Sequence, residues 1–133
     1  MLSDCRVISF NSKLDDRGNL TIIESLKDIP FHIKRIYYLN EVPENSVRGG
    51  HAHKDLHQVI IALAGSFEVL FDDGVSKKLV HLYDPNQGFY VAPMIWRDIK
   101  NFSEGSICLV LASEYFDESD YYRDYDEFIK QIG

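Results

Sequence analysis

A chain of 133 residues with 45% hydrophobic and 13% aromatic side chains is long and apolar enough for one packed domain over residues 1–133, and too apolar for disorder. Fourteen basic side chains against 21 acidic ones leave a formal net charge of −7. That excess argues against nonspecific nucleic-acid binding and against docking on an anionic membrane, while local arginines can still hold a small anion. Cys5 and Cys108 stand far apart with no CxxC pair, which suits a reducing cytoplasm and leaves a single disulfide open. The start, MLSDCRV, lacks the basic and then apolar pattern of a signal peptide, and no apolar run reaches membrane-spanning length. A cytoplasmic location is expected.

In chain order, runs rich in β-branched and aromatic residues predict strands over 7–10, 19–24, 31–39, 48–53, 58–64, 66–71, 77–82, 88–91, 96–102 and 107–113. Turn chemistry separates them at Asp15-Asp-Arg-Gly18, Pro43-Glu-Asn-Ser46, Asp72-Asp-Gly74, Asp84-Pro-Asn-Gln-Gly88 and Ser103-Glu-Gly105. Asp73-Gly74 is a hairpin signal. Val59–Ala64 is uniformly apolar, as a strand buried on both faces would be. From Tyr115 the pattern changes. Tyr121, Tyr125, Phe128 and Ile132 recur every three to four residues, which predicts one or two short helices packing an aromatic stripe on the barrel or on a second subunit. The class expected is all-β, a small barrel with a short helical tail.

The run Arg48-Gly-Gly-His-Ala-His-Lys-Asp-Leu-His-Gln58 carries most of the chemistry. On a strand, His51 and His53 share one face. The spacing resembles that of a metal-binding cupin, whose carboxylate ligand would stand at position 58 and whose third histidine would stand at position 98. Here those positions are Gln58 and Asp98, so no required metal is expected. His57 is expected in an exposed turn rather than as a substitute ligand.

A neutral imidazole titrates near neutral pH and can move a proton, and two on one face can divide the work. Gln58 can hydrogen-bond a substrate hydroxyl or an imidazole. In Ile33–Leu39, alternation puts Arg35 and Tyr37 on one face and Lys34, Ile36 and Tyr38 on the other. A tyrosine hydroxyl on the inner face could bind a carbonyl or enediolate oxygen. Which tyrosine points inward is left open. Arg48, Arg17 and Arg97 are the candidate anion contacts, and Lys54 adjoins the histidine pair.

Asp15-Asp-Arg-Gly18, Arg48-Gly-Gly-His-Ala-His-Lys54 with Gln58, Asp72-Asp-Gly74, Asn101-Phe-Ser103 and Tyr122-Arg-Asp-Tyr-Asp-Glu-Phe128 together resemble the WxcM-like sugar 3,4-ketoisomerases over nearly the whole chain. That resemblance implies a cupin jelly roll, a homodimer, and no metal or other cofactor. It implies action on dTDP-4-keto-6-deoxy-D-glucose, moving the ketone from C4 to C3. The product would go on to a PLP-dependent aminotransferase, and the 3-amino sugar to O-antigen, surface-layer glycan or antibiotic. It implies His51 as principal base with His53 and Tyr37 as catalytic neighbours. Arg48, Arg17, Gln58, Arg97 and Lys54 would be substrate contacts. Three other functions compete: a nucleotide-sugar 3,5-epimerase of the same superfamily, a metal-dependent cupin, and a non-catalytic sugar-binding module.

Overall fold

Short alternating runs cut by Asp-, Asn- and Gly-rich turns leave the chain little choice but to fold as a sheet. In the computed structural model, which describes residues 1–132, the strands are β1 (Arg6–Ser9), β2 (Asn11–Asp15), β3 (Gly18–Ile22), β4 (Arg35–Asn40), β5 (Arg48–His53) and β6 (Gln58–Ala64). They continue with β7 (Phe67–Asp72), β8 (Lys77–Leu82), β9 (Gln87–Val91), β10 (Trp96–Lys100), β11 (Ile107–Ala112) and β12 (Tyr121–Tyr122), and end in a helix, α1 (Tyr125–Ile132).

Two five-stranded antiparallel sheets face each other in the orders β1-β9-β6-β11-β4 and β12-β5-β10-β7-β8. This is the all-β jelly roll expected from the sequence. Its core lies between the sheets, where Ile60, Phe67, Phe71, Phe89 and Val110 are buried, while Val59 and Ile61 are buried on the other face of β6 near Phe10. Burial on both faces explains the uniform apolar run of β6. The β7–β8 hairpin turns at Asp72–Ser76, where Asp73 Oδ1 accepts the Val75 and Ser76 amides. Both cysteines are free and buried. No helix among the described residues is long and apolar enough to cross a membrane.

Two elements differ from the sequence reading. β2 and β3 form a separate hairpin whose polar strand β2 is exposed throughout, so no apolar alternation marks it. The tail is not helical from Tyr121. Asp117 accepts the Ser119 amide and caps a single 3₁₀ turn at Glu118–Asp120, and Tyr121 leaves that turn in an extended conformation. Tyr121 and Tyr122 then pair with His53 and Ala52 on the edge of β5. Only the later part of the aromatic stripe packs as a helix. Phe128 is fully buried with Trp96 and Ala52, and Tyr125 donates a 2.6 Å hydrogen bond to Asp72. The tail thus closes one end of the second sheet and carries Tyr121 to the histidines.

Candidate active site

Strand periodicity builds the site from four directions. On β4, Arg35, Tyr37 and Leu39 point between the sheets, while Ile36 and Tyr38 are 59% and 62% exposed on the outer face. That settles which tyrosine faces inward. On β5, His51 and His53 lie edge to face with ring centroids 4.8 Å apart. Gln58 opens β6. On β10 a register shift between Arg97 and Asp98, taken up opposite the left-handed glycines Gly49 and Gly50, sets Arg97 directly across from His51. A Cβ at Gly49 would stand 2.9 Å from the Arg97 carbonyl oxygen, so glycine is needed there.

Arg35, Tyr37, Leu39, His51, Gln58 and Arg97 line an open cleft of about 440 Å³ together with Arg48, Tyr121, Phe116 and Arg123. A hydrogen-bond chain organises its floor. Arg97 is buried, and its guanidinium donates to the Ile95 carbonyl at 2.9 Å and to Gln58 Oε1. The carbonyl end of Gln58 is thereby committed, and its Nε2 donates to the Tyr37 hydroxyl at 3.0 Å. Since Tyr37 accepts from Gln58, its own O–H is free to donate into the cleft. Burial raises the Tyr37 pKa above that of a free phenol, so the proton stays in place at neutral pH.

The histidines are held neutral. Burial, helped by the Arg97 charge, lowers His51 to about 4 and His53 to about 2. His51 is drawn to the Gly49 backbone, and its Nε2 is buried with no protein partner. His53 Nδ1 sits 3.0 Å from Asp120 Oδ2. Tyr121 packs on both rings, at 5.1 Å from His51 and 4.3 Å from His53.

At the mouth, Arg35 is half-buried between two rings, 5.4 Å from Tyr37 and 5.6 Å from Phe116. Among the described residues no carboxylate lies within ion-pair distance of Arg35 or Arg48. Arg123 is instead held by Glu118 at 2.5 and 2.8 Å.

The structure brings His51, Tyr37, Gln58, Arg97 and Arg48 to one cleft, with His53 directly behind His51. It leaves two of the sequence candidates outside. Lys54 follows His53 by one residue, so alternation turns it outward, where it is exposed and lies over the Tyr122 ring. Arg17 sits at the tip of the β2–β3 hairpin, 86% exposed and paired to Asp15 at 2.8 Å. Arg97 is no surface arginine, and Asp98 faces the other side of β10 with Trp96 and Tyr125. His57 is half-buried in its turn, with Nδ1 2.7 Å from the Tyr90 hydroxyl.

Sequence reasoning missed Asp120, Tyr121 and Phe116 as members of the site and left Arg35 without a role. Alternation on β4 could have found Arg35. Nothing local marks Asp120, which meets His53 across 67 residues.

A divalent cation does not fit these side chains. A buried guanidinium and a neutral amide stand beside the imidazoles, and no three His, Cys, Asp or Glu side chains converge among the described residues.

The family model described as FdtA: WxcM-like, C-terminal matches residues 3–133. The chain belongs to the FdtA, WxcM-like family. One member of similar sequence is a TDP-4-oxo-6-deoxy-alpha-D-glucose-3,4-oxoisomerase from Aneurinibacillus thermoaerophilus. It is 46% identical over 128 residues, covering 96% of this chain and 92% of that protein. A mutant of the 3,4-ketoisomerase QdtA from Thermoanaerobacterium thermosaccharolyticum, solved with TDP-4-keto-6-deoxyglucose, superposes with a TM-score of 0.97 at 45% identity. The match covers 99% of this chain and 96% of that one. The WlaRB TDP-quinovose 3,4-ketoisomerase from Campylobacter jejuni superposes with a TM-score of 0.91 at 41% identity, covering 96% and 98% of the two chains. A dTDP-4-dehydrorhamnose 3,5-epimerase from Bacillus anthracis shares the fold alone, at 15% identity and a TM-score of 0.78 over 90% of this chain and 78% of that one.

The FdtA-family site makes a pH prediction. Both imidazoles bind protons in the unfolded chain near 6.5 and in the folded chain only near 4 and 2. The unfolded state therefore takes up protons first as pH falls. The stability tied to neutral histidines is fully present above 6.5 and is lost as pH falls, toward 4 for His51 and on toward 2 for His53. The His51 imidazole stays neutral over the upper part of that interval, down to about 4. Urea unfolding is expected to weaken from pH 6.5 to 4.5 while the acid limb of kcat/KM lies near pH 4. An acid limb at 6.5 would contradict the neutral, buried assignment of His51.

Proposed function

We propose that the protein is a sugar-nucleotide 3,4-ketoisomerase that converts dTDP-4-keto-6-deoxy-D-glucose to its 3-keto isomer with no metal or other cofactor. One observation carries the reading: a neutral imidazole, a phenol whose proton is free to donate, and arginines without carboxylate partners meet in a single cleft. Relatives of 41–46% identity bear ketoisomerase names, whereas the 3,5-epimerase shares only the fold.

The proton on C3 is acidic because it is alpha to the C4 ketone. His51 Nε2 removes it, leaving a C3–C4 enediolate. The Tyr37 hydroxyl, aimed by Gln58 and Arg97, donates to the developing charge on the C4 oxygen. The buried cation of Arg97 adds electrostatic support without touching solvent. His51 then returns the proton to C4 as the C3 hydroxyl becomes the ketone. A base lowered to about 4 is weak in the free enzyme, but the enediolate forming beside it favours the protonated imidazole as the reaction proceeds.

The diphosphate is held at the mouth by Arg48 and by Arg35, whose aromatic sandwich fixes a guanidinium that no carboxylate engages. Arg35→Met is expected to raise KM for the sugar nucleotide about 10- to 100-fold, the worth of one charge-assisted contact, with a smaller change in kcat. Steady-state kinetics check this, and an unchanged KM would move the diphosphate elsewhere.

The protein acts as a homodimer in the cytoplasm, its product feeding 3-amino-3,6-dideoxy sugar synthesis for a surface glycan. The β2–β3 hairpin, with Leu14 and Leu20 81% and 59% exposed and no strand partner outside itself, is the element that supports self-association. Incubation of EDTA-treated protein with dTDP-4-keto-6-deoxy-D-glucose tests the activity. A carbon spectrum with the carbonyl at C3 supports it, and a product still carrying the carbonyl at C4 but epimerised at C3 or C5 would favour the epimerase.

A further inference from the structure

Four arginines line the cleft, and they are not equivalent. Arg97 is buried in the floor and committed to Ile95 and Gln58. Arg35 and Arg48 have no carboxylate within ion-pair distance among the described residues. Arg123 alone lines the cleft with an anion already in its grip. Its Nε and one terminal nitrogen donate to separate oxygens of Glu118, the second at 2.8 Å, and both side chains are more than half exposed. That contact holds the Glu118 carboxyl below its usual range, so the anion stays charged at neutral pH.

The backbone that carries this pair is fixed. Glu118 lies on the 3₁₀ turn that Asp117 caps, and Tyr121 and Tyr122 are paired to β5 just before Arg123. The Asp120 carbonyl oxygen ties the same turn down by accepting the Lys54 amide at 2.8 Å. The Arg123 guanidinium lies 4.2 Å from the centre of the Tyr121 ring, whose other ring contacts are the two imidazoles and Phe116. Rotation about the Arg123 side-chain bonds therefore moves the charge within the cleft while the backbone stays in place.

An exposed carboxylate is a weak partner, because water and salt screen it. A diphosphate brings more charge and a set of acceptor oxygens that matches the guanidinium fork. Where both anions can reach one guanidinium they compete, and the internal contact lowers the apparent affinity for the ligand.

Resting on the ketoisomerase reading above, we propose that Arg123 is a third diphosphate contact and that Glu118 is its built-in competitor, holding the guanidinium in the free enzyme and releasing it to the sugar nucleotide. Glu118 is a positioning residue that acts through Arg123 and does not touch the ligand. Substrate and product carry the same diphosphate, so the competitor weakens the hold on both and eases product departure.

Calorimetric titration of the full chain with dTDP alone tests this without turnover. Arg123→Met, which keeps the side-chain stem over Tyr121, is expected to weaken binding about tenfold. Glu118→Gln is expected to tighten it about two- to fivefold, the range that an exposed ion pair can hold back. The sign discriminates, since loss of a merely structural contact would loosen the site or leave it unchanged. In the R123M background, E118Q should no longer alter dTDP affinity. Weaker or unchanged binding in E118Q would overturn the competitor role. So would equal tightening with and without Arg123, because the carboxylate would then be repelling the ligand directly. An R123M affinity within twofold of wild type would remove Arg123 from the diphosphate. Failure of the wild-type protein to bind dTDP would overturn the sugar-nucleotide reading itself, whereas wild-type binding that responds to neither substitution would overturn the exchange between Glu118 and diphosphate alone.

Discussion

Replacing His51 by asparagine is expected to lower turnover about 10²- to 10⁴-fold while leaving the fold intact, the usual worth of a positioned general base. Asparagine is close to the imidazole in size and keeps a hydrogen-bonding group near the Gly49 backbone, but it cannot take up a proton. His51 is the one cleft-lining imidazole, and its Nε2 has no protein partner. His53 stands behind it and cannot substitute without a shift of β5. A variant that keeps its far-ultraviolet and near-ultraviolet dichroism but loses both turnover and C3 proton exchange would support this account. Turnover within tenfold of wild type would hand the base role to another group.

The second large effect is on stability. Phe128→Ala is expected to cost about 3–5 kcal/mol, because it empties a fully buried aromatic site. Phe128 is where α1 meets the sheet, touching Trp96 on β10 and Tyr122 on β12. Its loss loosens the short strand that carries Tyr121 onto the histidines and Asp120 onto His53. Urea unfolding should show the full destabilisation, and amide exchange at residues 120–123 should speed up more than exchange on β6. A loss under 1 kcal/mol, or exchange that rises evenly across the barrel, would mean that the tail is not anchored through this ring.

The barrel was legible because its strands obey simple rules. β5, β7, β8 and β11 alternate or run apolar between turns whose Asp, Asn and Gly residues mark their ends. Strand β2 was not legible, since Asn11–Asp15 has no buried face to leave a pattern. The tyrosines at 121 and 125 fit a helical period, yet the capped turn at Asp117 releases Tyr121 into an extended strand that pairs with β5. Spacing from Tyr121 alone cannot carry that information, because the competing partner lies far away in sequence.

The site divides the same way. His51, His53 and Gln58 could be placed from alternation along β5 and the start of β6, whereas alternation on β4 groups Tyr37 with Arg35 without saying which face turns inward. Arg97 turns inward and Asp98 outward by alternation along β10, but which β5 residue stands across from Arg97 depends on the extra residue at Gly49–Gly50. Arg17 and Lys54 carry the right charge, but one pairs with its own hairpin and the other points away from the cleft. Arginine content says how many anion contacts a chain could make. Only the fold says which guanidinium lacks a carboxylate.

The most direct measurement is a proton spectrum of EDTA-treated protein with dTDP-4-keto-6-deoxy-D-glucose in D₂O. Loss of the C3 proton signal and growth of a 3-keto product bearing deuterium at C4 are expected, at a rate unaffected by the chelator. Unchanged substrate with its C3 proton intact would contradict the ketoisomerase reading.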